Sequence, residues 1–294
     1  MNGTISMSKI TIFTPTYNRA YTLKKLYDSL IRQTNKDFEW LIVDDGSTDN
    51  TKDLINGFTK ENKIKIRYYY QENGGKAMAH NLGVEKTETE LFTCVDSDDY
   101  LIEEAINKII VTWKDVDEII GIVAKRISPD GSDITIMKNQ VNKCMTLKLA
   151  YDKKVLEGDT FLIYKTTEIK KFKFPKFKGE KFVPESYLYD QLDQLGNMYL
   201  LNEGLYVSEY LDDGYTRNFD KVIASNPNGY LAYLLQRIKI ENSKKNLFFN
   251  IARIVSTFFI LGKHQLVKHH YFFSVLAYPI GCFLYLKRFK KWRF

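Results

Sequence analysis

Residues 38–50 read FEWLIVDDGSTDN and residues 91–101 read LFTCVDSDDYL. Each is a short apolar run that stops abruptly in acids. Phe38 to Val43 is almost continuously apolar, the pattern of a strand covered on both faces rather than one. It breaks at Asp44-Asp45-Gly46-Ser47, residues whose short polar side chains and tolerance of positive φ make turns. Leu91 to Val95 repeats the arrangement and breaks at Asp96-Ser97-Asp98-Asp99.

The flanking segments fit the same plan. Lys9 to Thr14 is a β-branched run ended by Pro15. Thr22 to Gln33 carries apolar residues at Leu23, Leu26, Tyr27, Leu30 and Ile31, a helical spacing. Thr51 to Thr59 reads as a helix, Ile64 to Tyr70 as a strand, Lys76 to Lys86 as a helix after a Gly74-Gly75 turn, and Ile102 to Trp113 as a helix. Strands alternating with helices predict an α/β fold with a mostly parallel sheet between helical layers. Ligands in such sheets bind beyond the carboxyl ends of the strands, which is where both acidic groups fall. After about residue 120 the pattern is mixed. Residues 172–182 (FKFPKFKGEKF) are basic and loop-like, Pro184 to Leu195 reads as a helix, Leu200 to Tyr210 as a strand, and Asp212-Asp213-Gly214 as a turn.

Composition narrows the function classes. The chain has 294 residues, 44% apolar and 27% charged, which is globular and fits one large α/β domain or two modest ones. Cys94, Cys144 and Cys282 are odd in number and far apart, so neither a disulfide scaffold nor a CxxC metal site is expected, and a reducing compartment is. MNGTISMSKITIFTPTYN at the start lacks the apolar core of a secretory signal. The net charge of +7 is unevenly spread: residues 242–294 hold ten Lys and Arg and no acid, so the rest of the chain carries −3. A mildly acidic body argues against nucleic acid as a partner, and a basic tail argues for a separate one. His80 is the one histidine before the tail, so chemistry in the body does not rest on a histidine base or histidine cluster.

Carboxylates gathered at two strand ends repel one another. A hard divalent cation removes that cost, and Mg²⁺ or Mn²⁺ prefers one or two carboxylates completed by phosphate oxygens. Each Asp-rich turn alone is equally well read as a turn or helix cap; the pair together favours a site.

Four motifs in order, ITIFTPTYNR, FEWLIVDDGSTDNT, NGGKAMAHNLG and FTCVDSDDYL, resemble the successive signatures of family 2 glycosyltransferases with the GT-A fold. The resemblance is strong over residues 8–115 and weaker to about 217. It implies a Rossmann-like, mostly parallel sheet, and an inverting transferase that uses a nucleotide-diphosphate sugar, typically a UDP-sugar, with divalent Mn²⁺ or Mg²⁺. By position, it implies that Pro15 and Tyr17 line the nucleotide pocket and that Arg19 lies near the phosphates. Asp45 would accept a hydrogen bond from the base, Asp96 would contact the ribose or sugar, and Asp98 would ligate the metal. Asn73, Gly75 and Lys76 sit where the family's loop approaches the nucleotide. The usual Arg-Asn pair is here His80-Asn81, and His80 reads as a structural helix residue. Inversion also needs a base for the acceptor hydroxyl. Alignment on Tyr189 puts Glu185 there, with Asp190 as the alternative; the bland reading of Glu185 is a helix N-terminal acid after Pro184. Asp159 is a further acid for the acceptor mouth or, the favoured reading, an N-cap before Phe161; Asp213 is placed near the diphosphate or, the favoured reading, is a turn residue.

Leu247–Gly262 and Tyr271–Leu286 are apolar stretches shorter than the roughly 20 residues of a spanning helix, with Pro279 and Gly281 interrupting the second. Basic and aromatic flanks fit helices that lie in an anionic membrane interface. The expected organisation is a catalytic domain over 1–240, with a nucleotide-sugar half (8–115) and an acceptor half (116–240), then a membrane-associating helical tail over 241–294. The expected partners are a nucleotide-sugar donor, a lipid-linked saccharide acceptor in bacterial surface polysaccharide synthesis and the cytoplasmic face of the membrane. The apolar tail also offers a surface for a homodimer. Two rival readings are a nucleotidyltransferase, which would normally show a Gly-rich phosphate loop where Thr14-Pro15-Thr16-Tyr17 stands, and a non-catalytic scaffold.

Overall fold

A computed structural model describes residues 8–138, 143–208 and 219–289. Two compact units emerge, Met1–Lys173 with Gln191–Tyr210, and Phe174–Asp190 with Leu211–Phe294.

The first unit opens with β1 (Ile10–Thr16), α1 (Ala20–Ile31), β2 (Phe38–Asp44), α2 (Thr51–Glu61), β3 (Ile66–Tyr70), α3 (Lys76–Lys86) and β4 (Leu91–Cys94). It continues through β5 (Tyr100–Leu101), α4 (Ala105–Asp115), β6 (Ile119–Ile127), β7 (Ile136–Met137), β8 (Cys144–Met145), α5 (Leu147–Asp152), β9 (Leu156–Glu157), β10 (Thr160–Lys165) and α6 (Thr166–Ile169). After α7 (Ser186–Leu192) comes β11 (Asn197–Val207). The main sheet runs β3-β2-β1-β4-β10-β6-β11-β5, with β8 also on β11. β1, β2, β3 and β4 are parallel to one another, β11 is parallel to β6, and β10, β5 and β8 are antiparallel to their neighbours.

Every residue of β1 and β2 is buried, as a doubly covered strand requires. Glu39 is buried among them and is compensated by Arg67 at 2.9 Å, Lys65 at 2.7 Å and the Thr11 hydroxyl at 3.1 Å. The α1 face predicted from spacing is the buried one, with Leu23, Leu26, Tyr27 and Leu30 in the core and Ile31 packed at its edge. Tyr27 stacks on Phe58 with ring centroids 4.0 Å apart.

The second unit holds residues 186–190 of α7, then α8 (Phe219–Ser225), α9 (Pro227–Arg237), α10 (Lys244–Ile260) and α11 (Tyr271–Phe289) around Ile223, Tyr230, Leu234, Ile251, Ile254 and Ala277. The basic tail from residue 241 lies in this unit, together with 174–190 and the residues up to 240.

Three sequence expectations change. Asp159 does not cap a helix: it follows Gly158, whose φ is +81°, and leads into strand β10. Residues 102–104 are not helical; the chain first adds β5 to the sheet, and α4 starts at Ala105. Pro279 does not end the second apolar segment. α11 runs through it, and with the preceding 3₁₀ turn Lys268–Phe289 forms 22 residues of helix, long and apolar enough to cross a membrane. An interior proline removes one helix hydrogen bond and crowds the preceding turn, yet α11 continues through Pro279 and packs on α10. Asp213 and the terminal Lys290–Phe294 lie outside the described residues.

Candidate active site

The parallel register places the acidic strand ends on either side of one strand. β1 pairs with β2 from Ile10↔Phe38 to Thr16↔Asp44, and with β4 from Ile10↔Leu91 to Phe13↔Cys94. The chain stays attached one residue beyond each strand: Asp45 N–H donates to Thr16 C=O at 2.8 Å, and Val95 N–H to Phe13 C=O at 2.8 Å. Asp45 and Asp96 therefore flank the carboxyl end of β1, where Pro15 is buried in the strand and Tyr17 stands half exposed in the turn.

Asp44 and Asp45 have different work. Asp44 braces its own turn, accepting from Ser47 N–H at 2.7 Å and from the Tyr68 hydroxyl at 2.8 Å. Asp45 reaches across to the loop before α3. Its Oδ1 accepts from Gln71 Nε2 at 2.6 Å and Gly74 N–H at 2.8 Å, and its Oδ2 from Gly75 N–H at 2.7 Å. Gly46 allows this approach: its φ is +88°, and a Cβ there would lie 2.8 Å from Asn73 N. Asn73 is thereby set against the turn that follows Asp45. Asn18, at φ +52°, binds the opposite side, its Oδ1 accepting from Thr48 N–H at 2.8 Å.

Gly75 precedes Lys76, the first residue of α3, and the Lys76 ammonium lies 2.6 Å from Asp96 Oδ1. Burial, and next the negative charge of Asp96, push the Asp98 carboxyl above its ordinary value, while Arg19 and Lys76 pull it back. Asp99 is pushed further, to about 6, by burial and then by Asp96, against a hydrogen bond from the Tyr206 hydroxyl. The structure thus brings Arg19, Lys76, Asp96 and Asp98 within one electrostatic neighbourhood and joins Asp45 to it through the 71–75 loop. Arg19 also donates to the Tyr21 hydroxyl.

These residues suit a divalent cation of one kind. Among the described residues no cluster of three or more His, Cys, Asp or Glu could enclose a metal. Crowded carboxylates whose repulsion is only partly neutralised match Mg²⁺ or Mn²⁺ held by one or two carboxylates and completed by a diphosphate.

His80 is buried on α3 with its ring edge-on to Phe13 and Phe92, at centroid distances of 5.7 and 5.4 Å. That is the structural position read from the sequence. Glu185 and Asp190 belong to the second unit. Glu185 is exposed just before α7, with the Tyr189 hydroxyl 3.4 Å from its Oε2. Asp190 is buried and ion-paired with Arg237 of α9, an arrangement that fastens α7. Gln71, Asp99, Arg126 and Tyr206 carry no assignment from the sequence. Asp99 stood in plain view in its acidic run, but nothing local separates it from its neighbours.

Residues 11–176, more than half of the chain, match the family described as Glycosyl transferase family 2. Curated relatives include Glycosyltransferase GlyG of Streptococcus pneumoniae serotype 4, 35% identical over 126 residues that cover 42% of each chain. The Teichoic acid poly(glycerol phosphate) polymerase of Staphylococcus epidermidis is 35% identical over 39% of this chain and 16% of its own. The chain spans less than half the length of these relatives. Among solved structures, S. aureus TarS 1-349 in complex with UDP-GlcNAc superposes with a TM-score of 0.62 at 19% identity, covering 85% of this chain and 72% of that one. Mannosyltransferase PcManGT from Pyrobaculum calidifontis, in complex with GDP-Man and Mn²⁺, gives 0.57 at 14% identity, covering 93% and 75%. At those identities the likeness is one of fold, and it is the GT-A architecture expected from the four motifs. The matched residues run from β1 through the acidic turn after β4 and on past β10, so the segment that builds the strand-end site is the segment by which this chain belongs to glycosyl transferase family 2.

Proposed function

We propose that the chain is an inverting glycosyltransferase that moves a sugar from a UDP-sugar to a lipid-linked saccharide in bacterial surface polysaccharide assembly. The observation that carries this reading is the flanking of β1 by Asp45 on one side and Asp96 on the other, with Lys76 ion-paired across the gap. Uridine as the base is supported by TarS, a fold neighbour crystallised with UDP and with UDP-GlcNAc.

In this reading Pro15, Tyr17, Asn73 and Asp45 shape the base and ribose side, and Asp96 contacts the ribose or sugar. Lys76 and Arg19 supply positive charge to the diphosphate. Asp98 would hold Mn²⁺ or Mg²⁺, which when bound neutralises charge on the leaving nucleoside diphosphate. Glu185 takes the proton of the acceptor hydroxyl as its oxygen bonds to the anomeric carbon. The bond from that carbon to the diphosphate breaks, UDP leaves with the electron pair, and one displacement inverts the centre. Glu185 suits the role because it is exposed just before α7, with the Tyr189 hydroxyl at its Oε2; Asp190 is buried and ion-paired with Arg237.

Attachment to the cytoplasmic face of the membrane is part of the proposal. α11 packs on α10 along one side, where Gly281 admits Val255 and Ala252. Phe272, Val275, Leu276 and Phe283 stay exposed on it at helical spacing, and Lys287 and Arg288 follow in its last turn. An apolar stripe beside basic residues suits insertion at an anionic interface.

The test is a transfer assay with purified protein, a panel of UDP-sugars and lipid-linked acceptors extracted from bacterial membranes. Acceptor-dependent release of UDP is expected with one sugar. Glu185→Gln should lower kcat by about 10²- to 10⁴-fold while UDP binding persists. Release of pyrophosphate instead of UDP, or full activity in Glu185→Gln, would contradict the assignment.

A further inference from the structure

The acidic turn after β4 is held by a side chain of β11. Asp99 N–H donates to Asp96 C=O at 3.2 Å, which closes the four-residue turn. Beneath it lies Tyr206 of β11, fully buried, whose hydroxyl makes two hydrogen bonds to that turn. It donates to Asp99 Oδ2 at 2.7 Å and accepts from Asp96 N–H at 3.0 Å. One phenol thus staples both ends of the segment that carries Asp98. Tyr206 is itself fixed. The Arg126 guanidinium of β6 lies 4.2 Å above its ring and 3.9 Å from Asp99 Oδ2, and Arg126 Nε donates to Thr160 C=O at 3.1 Å. The Phe161 ring packs at a centroid distance of 5.0 Å.

A buried tyrosine needs a partner for its hydroxyl, and one main-chain carbonyl would satisfy that need. Here both the donor and the acceptor capacity of the hydroxyl go to the two ends of a single turn. Removing the hydroxyl deprives a buried carboxylate and a main-chain N–H of that partner together, and a turn so released can adopt other backbone conformations.

We propose that Tyr206 is a positioning residue for donor binding: its hydroxyl fixes the Asp96–Asp99 turn in the conformation from which Asp98 meets a cation on the diphosphate. The inference rests on the donor-site reading above. Groups that orient a metal ligand from behind typically change metal affinity by about 10- to 100-fold when lost.

The experiment is calorimetric titration of UDP into the full chain, with Mn²⁺ and with EDTA, for the parent, Tyr206→Phe and Phe161→Leu. Tyr206→Phe keeps the ring and should weaken UDP binding in Mn²⁺ by about 10- to 100-fold, while in EDTA neither the parent nor the variant should bind UDP measurably. Phe161→Leu disturbs the same packing without touching the hydroxyl; it should lower Tm and keep the parent affinity. A second pair covers the case in which Tyr206→Phe does not fold. Asp99→Asn retains an acceptor for the phenol and should keep manganese-dependent affinity, while Asp99→Leu has none and should lose it. Parent-like affinity in Tyr206→Phe, equal loss in Phe161→Leu, or equal loss in Asp99→Asn and Asp99→Leu overturns the inference. A parent protein whose UDP binding does not depend on Mn²⁺ overturns the donor reading, and this inference with it.

Discussion

The Lys76 ammonium lies 2.6 Å from Asp96 Oδ1, and this contact ties the first residue of α3 to the acidic turn after β4. Both side chains are about one-third exposed or less. Half-open ion pairs contribute roughly 0–1 kcal/mol to stability, so the pair does little to hold the fold. Its value lies in keeping a cation beside carboxylates that a diphosphate must approach. Lys76→Met should leave Tm nearly unchanged and weaken UDP binding about tenfold, near 1.4 kcal/mol. Titration at low and high salt checks the electrostatic origin: the parent should lose more affinity with added salt than the variant.

Asp45 predicts the opposite balance. Its carboxylate accepts three hydrogen bonds from the 71–75 loop, and an asparagine oxygen cannot replace two acceptor oxygens. With charged hydrogen bonds at about 1.5–3 kcal/mol each, Asp45→Asn should cost about 2 kcal/mol or more. Amide hydrogen exchange should accelerate selectively at Gly74 and Gly75, and UDP binding should weaken with it.

The elements that carry this candidate site are legible in the sequence, and the reason is local. Strands buried on both faces leave long apolar runs, and strand ends that carry acids show as abrupt breaks. β2, α3 and β4 accordingly begin and end within about a residue or two of the reading from Phe38, Lys76 and Leu91. What could not be read depends on pairing across distance. β10 inserts between β4 and β6, and nothing in Thr160–Lys165 announces that neighbour. The same holds for Tyr206, whose meaning comes from reaching Asp96 and Asp99 more than a hundred residues earlier. Asp159 misled because a lone Asp before an apolar residue suits a strand entry as well as a helix cap.

Glu39 sets an acid limit on stability. Burial pushes its carboxyl up, but hydrogen bonds from Lys65 and Arg67 more than offset this and hold it below the ordinary 4.5. The folded state therefore binds this proton less readily than the unfolded chain. The resulting stability is complete above 4.5 and is lost as pH falls through the depressed folded value. Urea denaturation between pH 7 and 3 should show an acid limb that flattens in Glu39→Gln. Arg67→Met, which removes the more buried of the two cations facing Glu39, should cost about 3 kcal/mol at neutral pH.

Gly281 tests the helical hairpin of the second unit. A Cβ at this position would lie 2.6 Å from Val255 Cβ and 2.8 Å from Ala252 C=O. Gly281→Ala must push α11 off α10, and overpacking of this kind costs about 1–3 kcal/mol. Thermal denaturation should show the loss. Sedimentation with anionic liposomes should show reduced binding if the hairpin presents Phe272, Val275 and Leu276 to the membrane as proposed.

The central claim is that the strand ends around Asp45, Asp96 and Asp98 form a donor site for a uridine diphosphate. Thermal stabilisation by UDP, GDP, CDP and dTDP, each with and without Mn²⁺, tests it most directly. A ligand at a hundred times its Kd adds about 2.7 kcal/mol to stability. The account predicts a shift that is selective for UDP, requires Mn²⁺ and disappears in Asp98→Asn. No shift with any nucleotide, or a UDP shift that persists in Asp98→Asn with Mn²⁺, would contradict it.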